Sequence, residues 1–341
     1  MAPNTAQQMA RKMARSPVQT IPVYPAEQLR VVNGANLGDG LGFAEELMPD
    51  DVYALAPHAG PVPLSLCDAE GRYAVAPGSA AGRPGQAVML DCTVTFMSGD
   101  GQTQEVVVLV ELDPEGCVAE CWAMPLAPLQ PDVDYVLVGI DRGEVARKFG
   151  QVACVSFTRG THITMAGGAQ VPIEDLRPGD RVLTRDDGPQ PIRWVGQSTM
   201  RATGEFCPIL IRAGTLNNTR DLVVSPDHRL FIYQRRDTLG TGRAEVLVKA
   251  RHLVNGDDVR RLEGGFVDYF QLLFDDHQII YAEGIAAESL LADMRTRPVL
   301  PQDLSEGLAG HDATLREAYE VAEALLRGPD VVDLLRRSTL G

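Results

Sequence analysis

Runs of hydrophobic, often β-branched residues alternate with short polar segments through most of the first half of the chain. The segment at 98–102 contains two glycines and an aspartate between two such runs, which is typical of a hairpin turn. This pattern predicts an antiparallel, β-rich domain over residues 21–150, preceded by a flexible arm over residues 1–20. The predicted strands are residues 88–97, 103–112, 117–124 and 135–140.

The second half begins with the same kind of pattern and then changes. Between residues 151 and 300, short apolar runs are separated by strong turn signals at 178–180 and 186–189, which predicts an all-β domain. Residues 143–150 are polar and are predicted to be the junction between the two domains. After residue 300 the apolar residues recur three or four apart, which predicts a helical hairpin in residues 301–341. Its helices are expected at 313–327 and 331–337.

Composition narrows the possible partners. The 341 residues are 45% hydrophobic and 23% charged, which is typical of a globular protein. The formal net charge of −15 argues against binding to nucleic acid or to an anionic membrane surface. No apolar run reaches the roughly 18 residues of a membrane span. The basic N-terminal segment lacks the apolar core of a Sec signal, so we expect a soluble protein, either cytoplasmic or exported by a non-Sec route.

The spacing of the cysteines and histidines indicates neither a cofactor nor a metal site. The six cysteines do not form the paired spacings of zinc ligands, and we expect them to be reduced thiols. We therefore predict no cofactor and no bound metal, and the identity of any protein partner stays open.

Two short segments carry the candidate chemistry. The hydroxyl of Ser156 directly follows a peptide bond that it could attack. Ser225 and His228 are three residues apart, a spacing that can present both side chains to one peptide group. Histidine suits an acid at an amide nitrogen because its pKa of about 6.5 allows both proton states near neutrality. Together the segments predict a protein that acts on its own backbone.

Four sequence segments resemble those of a known family and occur in the same order as in that family. They are SFTRGTHI, VPIEDLRPGDRVLTRDDGPQPIRWVG, DLVVSPDHRLF and VDYFQLLFDDHQIIYAEGI, all between residues 154 and 290. This region resembles the Hint domain of inteins and Hedgehog proteins, most of all the bacterial stand-alone Hint proteins. The resemblance implies an all-β Hint domain, and it covers no residue before about 150 or after about 300. Together with the hydrophobic pattern, it predicts a mainly β protein: an antiparallel β-rich N-terminal domain, the Hint domain and a short C-terminal helical hairpin.

The resemblance also implies roles for individual residues. Ser156 stands where the family usually has a cysteine nucleophile, and His228 holds the place of the histidine that acts as the acid. Ser225 replaces the usual threonine, keeps the hydroxyl and would orient the strained peptide. His277 lies at the second histidine block, where it could polarise an ester, activate water or serve the structure. Cys154, two residues upstream, is an alternative nucleophile if the register differs.

The end of the resembling region departs from the inteins. These end in His-Asn, whereas residues 286–289 read Ala-Ala-Glu-Ser here and about fifty residues follow. The expectation is therefore cleavage at Val155–Ser156 through an N-to-O acyl shift and an ester, without full splicing. The protein's own N-terminal domain would be the acyl substrate. The alternative is a non-catalytic Hint scaffold that carries an N-terminal binding module.

Overall fold

The computed structural model describes most of the chain between Gln19 and Gly307. The described residues are 19–69, 71–154, 156–204, 207–234, 237, 240–293 and 295–307, together with residues 311, 319, 321, 326 and 335. The chain divides into two compact units, Met1–Phe149 and Gly150–Gly341. Both units are built almost wholly from antiparallel strands, as the hydrophobic pattern predicts.

The first unit is one nine-stranded sheet. Its strand order is β2-β3-β9-β6-β5-β4-β1-β8-β7, and β6 also pairs with β7, so that six of the strands close on themselves. The longest pairing joins β6 to β7 across the predicted turn at 98–102. The strands are β1 (Gln19–Pro25), β2 (Leu29–Asn33), β3 (Val52–Leu55), β4 (Val62–Asp68), β5 (Tyr73–Val75), β6 (Ala87–Ser98), β7 (Thr103–Leu112), β8 (Val118–Pro125) and β9 (Asp134–Asp141).

The connectivity of this sheet differs from the simple meander that the sequence suggests. The strand β1 lies between β4 and β8, and β9 lies between β3 and β6, so strands distant in sequence become neighbours. The strand β1 begins at Gln19, so the last two residues assigned to a flexible arm belong to the sheet. Phe96 and Tyr53, both nearly fully buried, pack in its core with ring centroids 5.2 Å apart.

A helix occupies the segment predicted to be a polar junction. Helix α1 (Val145–Ala153) begins in the first unit and ends in the second. Val145 and Phe149, one helical turn apart, are both buried. The helix therefore has an apolar stripe, which the surrounding polar residues hide in the sequence.

The second unit contains two six-stranded sheets and one two-stranded sheet. The first sheet has the order β15-β21-β10-β17-β16-β20, the second β12-β11-β22-β23-β18-β19, and the third pairs β13 with β14. A common apolar core includes residues of both large sheets, among them Phe157, Leu230 and Phe270. The strands are β10 (Phe157–Thr158), β11 (His162–Thr164), β12 (Gln170–Pro172), β13 (Arg181–Leu183), β14 (Pro189–Pro191), β15 (Trp194–Arg201), β16 (Ile209–Ile211), β17 (Leu222–Val224), β18 (Arg229–Tyr233), β19 (Glu245–Lys249), β20 (Val259–Arg261), β21 (Phe266–Leu273), β22 (Ile279–Ala282) and β23 (Ile285–Glu288).

Two turns in this unit match the turn signals in the sequence. Gly179 and Gly188 have φ values of 96° and 63°, a region that glycine adopts without steric cost. Asp180 accepts a hydrogen bond of 2.8 Å from the backbone N–H of Arg177 and so closes its own turn. This contact gives Asp180 the structural role that the sequence indicates.

The C-terminal prediction is mostly outside the described residues. Helix α2 (Gln302–Gly307) is described, but the helices predicted at 313–327 and 331–337 lie outside the described residues except for four single positions. Within the described part of the chain, no helix has the length and apolar character of a membrane span.

Candidate functional site

Strand pairing places Ser156 between two other strands. Phe157 in β10 pairs with Val224 of β17 on one side and with Phe270 of β21 on the other. Ser156 directly precedes Phe157 and is 2% exposed. Because neighbouring residues follow the same antiparallel register, Ser225 and Gln271 are brought opposite Ser156. Residues that lie 69 and 115 positions apart in sequence thus meet at one serine.

Ser225 holds the peptide nitrogen of Ser156. The backbone N–H of Ser156 donates to Ser225 Oγ at 3.0 Å, and the backbone N–H of Ser225 donates to the carbonyl oxygen of Ser156 at 2.9 Å. Ser225 Oγ also lies 3.5 Å from the carbonyl oxygen of Cys154. The hydroxyl that the sequence singles out therefore contacts the nitrogen of the Val155–Ser156 peptide, although Val155 itself lies outside the described residues.

His228 contacts a different peptide group from Ser225. Its Nδ1 lies 3.0 Å from the carbonyl oxygen of Ser156, which belongs to the Ser156–Phe157 peptide. Its Nε2 lies 3.1 Å from the carbonyl oxygen of Glu288, and its ring packs 4.3 Å from the ring centroid of Phe157. The spacing of Ser225 and His228 suggests that both face one peptide group. In the structure they face the two successive peptides that flank Ser156.

The environment of His228 has opposing effects on its charge. Both ring nitrogens face carbonyl oxygens, which only accept hydrogen bonds, so only the imidazolium form donates to both. The side chain is fully buried, and this burial lowers its pKa below the ordinary value. The charge of Glu288 and the two carbonyl contacts act in the opposite direction, and the charge of Arg229 adds to the lowering.

The turn that carries His228 is held by a short 3-10 segment, Ala250–Leu253. Its backbone N–H groups at Ala250 and Arg251 donate to the carbonyl oxygens of His228 and Pro226 at 2.8 and 2.9 Å. The side chain of Arg251 also pairs with the carboxylate of Asp227. Burial alone raises the pKa of Asp227, but Arg251 and then Lys249 outweigh it and lower this pKa. The charged Asp227 therefore fixes the turn between Ser225 and His228.

Gln271 is a site residue that the sequence analysis does not single out. It is 3% exposed, and its Nε2 donates to Ser156 Oγ at 2.8 Å. Gly196, its partner in β15, leaves room for this side chain: a Cβ there would lie 2.5 Å from Gln271 Oε1. Gln271 is adjacent to Phe270, within a phrase that carries the family resemblance, but nothing in its spacing from Ser156 marks it.

Cys154 is sequestered in a separate apolar cluster. It is 2% exposed and packs with Leu273, Leu290, Ala292 and Leu300. Burial raises the pKa of its thiol to about 12, so the thiol stays protonated near neutral pH. Its carbonyl oxygen, rather than its sulfur, contacts the hydroxyl of Ser156, at 3.4 Å. This environment disfavours the alternative in which Cys154 is the nucleophile.

His277 lies in a buried charged cluster next to His228. The side chain of His277 is 2% exposed, and neither of its ring nitrogens makes a hydrogen bond to a described residue. Its Nε2 lies 3.5 Å from Glu288 Oε2, and the other oxygen of Glu288 pairs with Arg229 at 3.1 Å. The structure thus connects His277 to the site through Glu288 and not through a hydrogen bond to Ser156.

A family comparison covers the region that contains this site. The family model described as "Hint domain" matches residues 155–294, which begin one residue before Ser156. Residues 155–294 form a Hint domain. The C-terminal half of the chain therefore contains a domain of the self-processing type. No curated protein matches the chain.

Solved inteins share low similarity with the Hint domain of this chain. The Ssp DnaB mini-intein variant M86 is 12% identical, covers 41% of this chain and 97% of its own, and gives a TM-score of 0.28. The MchDnaB-1 intein is 13% identical, with coverages of 39% and 98% and a TM-score of 0.27. The gp41-1 intein is 13% identical, with coverages of 39% and 97% and a TM-score of 0.25. Structural likeness at this level does not identify a function.

The described part of the chain contains no group of three or more His, Cys, Asp or Glu side chains that could hold a metal ion. All six cysteines are free thiols. The Ser156 site, defined as Ser156, Ser225, His228 and Gln271, presents hydroxyl, amide and imidazole groups.

Proposed function

We propose that the protein cleaves its own backbone at Val155–Ser156 through an ester, without splicing. The observation that carries this proposal is that all three polar atoms of the buried Ser156 are held by other side chains. Its N–H is bound by Ser225, its carbonyl oxygen by His228 and its hydroxyl by Gln271. Any buried serine needs hydrogen-bond partners, but here all three come from polar side chains that lie at least 69 residues away in sequence.

In the proposed first step, Ser156 Oγ attacks the carbonyl carbon of Val155. The Oγ–C bond forms, the C–N bond of Val155–Ser156 breaks, and the hydroxyl loses its proton while the nitrogen gains one. The products are an ester at Oγ and a free α-amino group on Ser156. The step is unfavourable in a relaxed chain because amide resonance is lost, so an acid at the nitrogen is needed.

Each side chain of the site has a part in this step. Gln271 donates to Oγ and so stabilises the negative charge that develops there as the proton leaves. Ser225 fixes the amide nitrogen by its hydrogen bond to the N–H. His228 is the acid, and because its Nδ1 now rests on the carbonyl oxygen of Ser156, its ring has to rotate towards the nitrogen to deliver a proton.

In the proposed second step, water attacks the ester carbonyl. The carbonyl–Oγ bond breaks, the fragment 1–155 leaves with a new carboxylate, and Ser156 regains its hydroxyl at the N-terminus of the second fragment. The sequence supports cleavage over splicing, because residues 286–289 read Ala-Ala-Glu-Ser at the place where an intein ends in His-Asn. We propose the N-terminal domain as the acyl group, and we assign His277 no contact with the ester.

Intact-mass spectrometry of the freshly purified full chain tests the proposal. We expect fragments 1–155 and 156–341, with more of both in hydroxylamine, which cleaves esters and leaves the first fragment as a hydroxamate. Ser156→Ala should abolish both fragments, while Cys154→Ala, a matched change two residues away, should still cleave. A single uncleaved mass in every sample, with and without hydroxylamine, would establish the non-catalytic scaffold instead. Fragments ending at residue 153 that disappear only in Cys154→Ala would move the nucleophile to Cys154.

A further inference from the structure

Glu288, whose carboxylate is buried, contacts His228 through its main-chain carbonyl. We propose that Glu288 is a positioning residue whose carboxylate favours the protonated form of His228 against the effect of burial, and that it thereby shifts the pH range over which the Ser156 site works. The effect on cleavage rests on the proposed function, whereas the effect on the protonation of His228 does not.

Strand register brings Glu288 to this position. Leu230 in β18 pairs with Ala287 in β23, so the preceding residue, Arg229, lies opposite Glu288. The two side chains form an ion pair of 3.1 Å, at 5% and 0% exposure. On its other side, Glu288 pairs with Ile279 of β22, which brings His277 to 3.5 Å from its second carboxylate oxygen. The carboxylate of Glu288 thus lies between the side chains of Arg229 and His277.

Glu288 contacts His228 through its own main chain. The carbonyl oxygen of Glu288 accepts from His228 Nε2 at 3.1 Å, and on the opposite side of the ring the carbonyl oxygen of Ser156 faces Nδ1 at 3.0 Å. A neutral ring carries one N–H and leaves one of these carbonyls facing a lone pair. The cation donates to both, but a buried cation is costly unless a negative charge is close. Glu288 supplies that charge.

The other charged groups around His228 do not replace Glu288. From the same strand, Arg229 opposes a positive charge on the ring. From the preceding turn, Asp227 is held between Arg251 and Lys249, with which it forms ion pairs. From the segment before β22, His277 can add only positive charge, and the β10 residues next to the ring, Ser156 and Phe157, are uncharged. Glu288 is therefore the carboxylate on which the protonation of His228 depends.

The protonation state of His228 can be measured without any cleavage. We would titrate the histidine side chains of the full chain by NMR in a Ser156→Ala background, and assign His228 by its absence in His228→Gln. In Glu288→Gln, we expect the titration midpoint of His228 to lie about one pH unit lower than in the parent. If the shift is larger, His228 stays neutral over the pH range in which the parent titrates. Glu283→Gln is the matched control, since Glu283 is equally buried (2%) but contacts His162, and it should leave His228 unchanged.

A second variant covers the case in which Glu288→Gln does not fold because Arg229 is left unpaired. Glu288→Leu/Arg229→Met replaces the whole ion pair by apolar side chains, a change that buried pairs often tolerate. The pKa of His228 should again fall, but by less than in Glu288→Gln, because the opposing charge of Arg229 is removed as well. An unchanged titration of His228 in either folded variant, or an equal shift in Glu283→Gln, would overturn the proposal.

The pH dependence of cleavage separates this inference from the proposed function. If imidazolium is the acid, cleavage of the Ser156-containing chain falls as pH rises through the pKa of His228, and Glu288→Gln moves that fall to lower pH. Cleavage that keeps the same pH profile, despite a shifted titration in NMR, would show that His228 is not the acid. A chain that never cleaves but shows the shift would end the proposed function and leave the role of Glu288 standing.

Discussion

The hydrogen bond from Gln271 to the hydroxyl of Ser156 gives the sharpest test of the proposed chemistry. We expect Gln271→Met to slow cleavage, because methionine fills nearly the same volume but cannot donate to Oγ. The native bond is 2.8 Å long and buried, and Gln271 is 3% exposed, so water does not compete for it. The loss should fall on the acyl shift, in which Oγ becomes negatively charged.

The magnitude follows from the change in charge on Oγ. A hydrogen bond between neutral groups contributes about 0.5–1.5 kcal/mol, and one to a charged group about 1.5–3 kcal/mol. Only the part gained in the transition state accelerates the reaction. The difference between the two ranges, about 1–1.5 kcal/mol, corresponds to a rate about 5- to 13-fold lower. The stability of the domain should fall only by the contribution of the neutral bond, because Oγ carries no charge in the folded state.

The assay is the rate at which fragment 156–341 appears, followed by intact mass at constant pH and temperature. Gln278→Met is the matched control: Gln278 is 4% exposed and donates to Asp187 at 3.0 Å, without contact to Ser156. Both variants lose one buried amide, and Gln278→Met should lose at least as much stability as Gln271→Met because its bond is to a carboxylate. Wild-type cleavage in a folded Gln271→Met protein, or equal slowing in Gln278→Met, would refute the role given to this bond.

Three further changes test the surroundings of the site. Gly196→Ala should lower the free energy of unfolding by about 1–3 kcal/mol in chemical denaturation and should slow cleavage, because the new Cβ would lie 2.2 Å from the ring of Trp194 and 2.5 Å from Gln271 Oε1. Gly139→Ala, where the nearest neighbour of a Cβ is at 3.5 Å, is the control and should change neither the stability nor the cleavage rate. Asp227→Asn should lower the free energy of unfolding near neutral pH. Because the folded-state pKa of Asp227 is depressed, the difference in unfolding free energy between variant and wild type should shrink as pH falls below about 4. Denaturation curves measured over this pH range check it, and a difference that stays constant would contradict the ion-pair role. Ser156→Cys should give a thioester that hydroxylamine or a thiol reagent cleaves faster than the ester, whereas an inert thiol would indicate that the site does not activate its nucleophile.

The local pattern of the chain predicts much of the secondary structure. The hairpin of β6 and β7, the strand β18 and the glycine turns follow from alternation and turn residues that lie close together in sequence. Helix α1 does not follow, since only Val145 and Phe149 mark its buried stripe. The closure of the first sheet also does not follow, because the pairing of β1 with β8 joins segments about a hundred residues apart, and no local signal specifies it.

The candidate site is also predictable from the sequence only in part. Ser156, Ser225 and His228 can be recognised in the sequence because each belongs to a motif that has reactive residue types at a fixed spacing. Their contacts are not predictable, because the pairing of Phe157 with Val224 and Phe270 is set by packing across the whole domain. This register brings Gln271 to Ser156, and it places His228 against the carbonyl of Ser156 rather than its nitrogen. A residue such as Gln271, which reaches the site only through the strand register, cannot be found from a sequence motif.

The position of His228 has a consequence for the speed of the proposed reaction. In the described arrangement the ring is held at both ends, by the carbonyl oxygens of Ser156 and Glu288, while the amide N–H of Ser156 is held by Ser225. Protonation of that nitrogen requires the ring to give up the bond at Nδ1, which costs about 1.5–3 kcal/mol when the ring is charged. That cost alone slows the step about 10- to 100-fold. A serine nucleophile adds to the barrier, since it lacks the accessible thiolate of cysteine. We therefore expect the proposed cleavage to be slower than it would be with a cysteine nucleophile and a histidine already placed at the amide nitrogen.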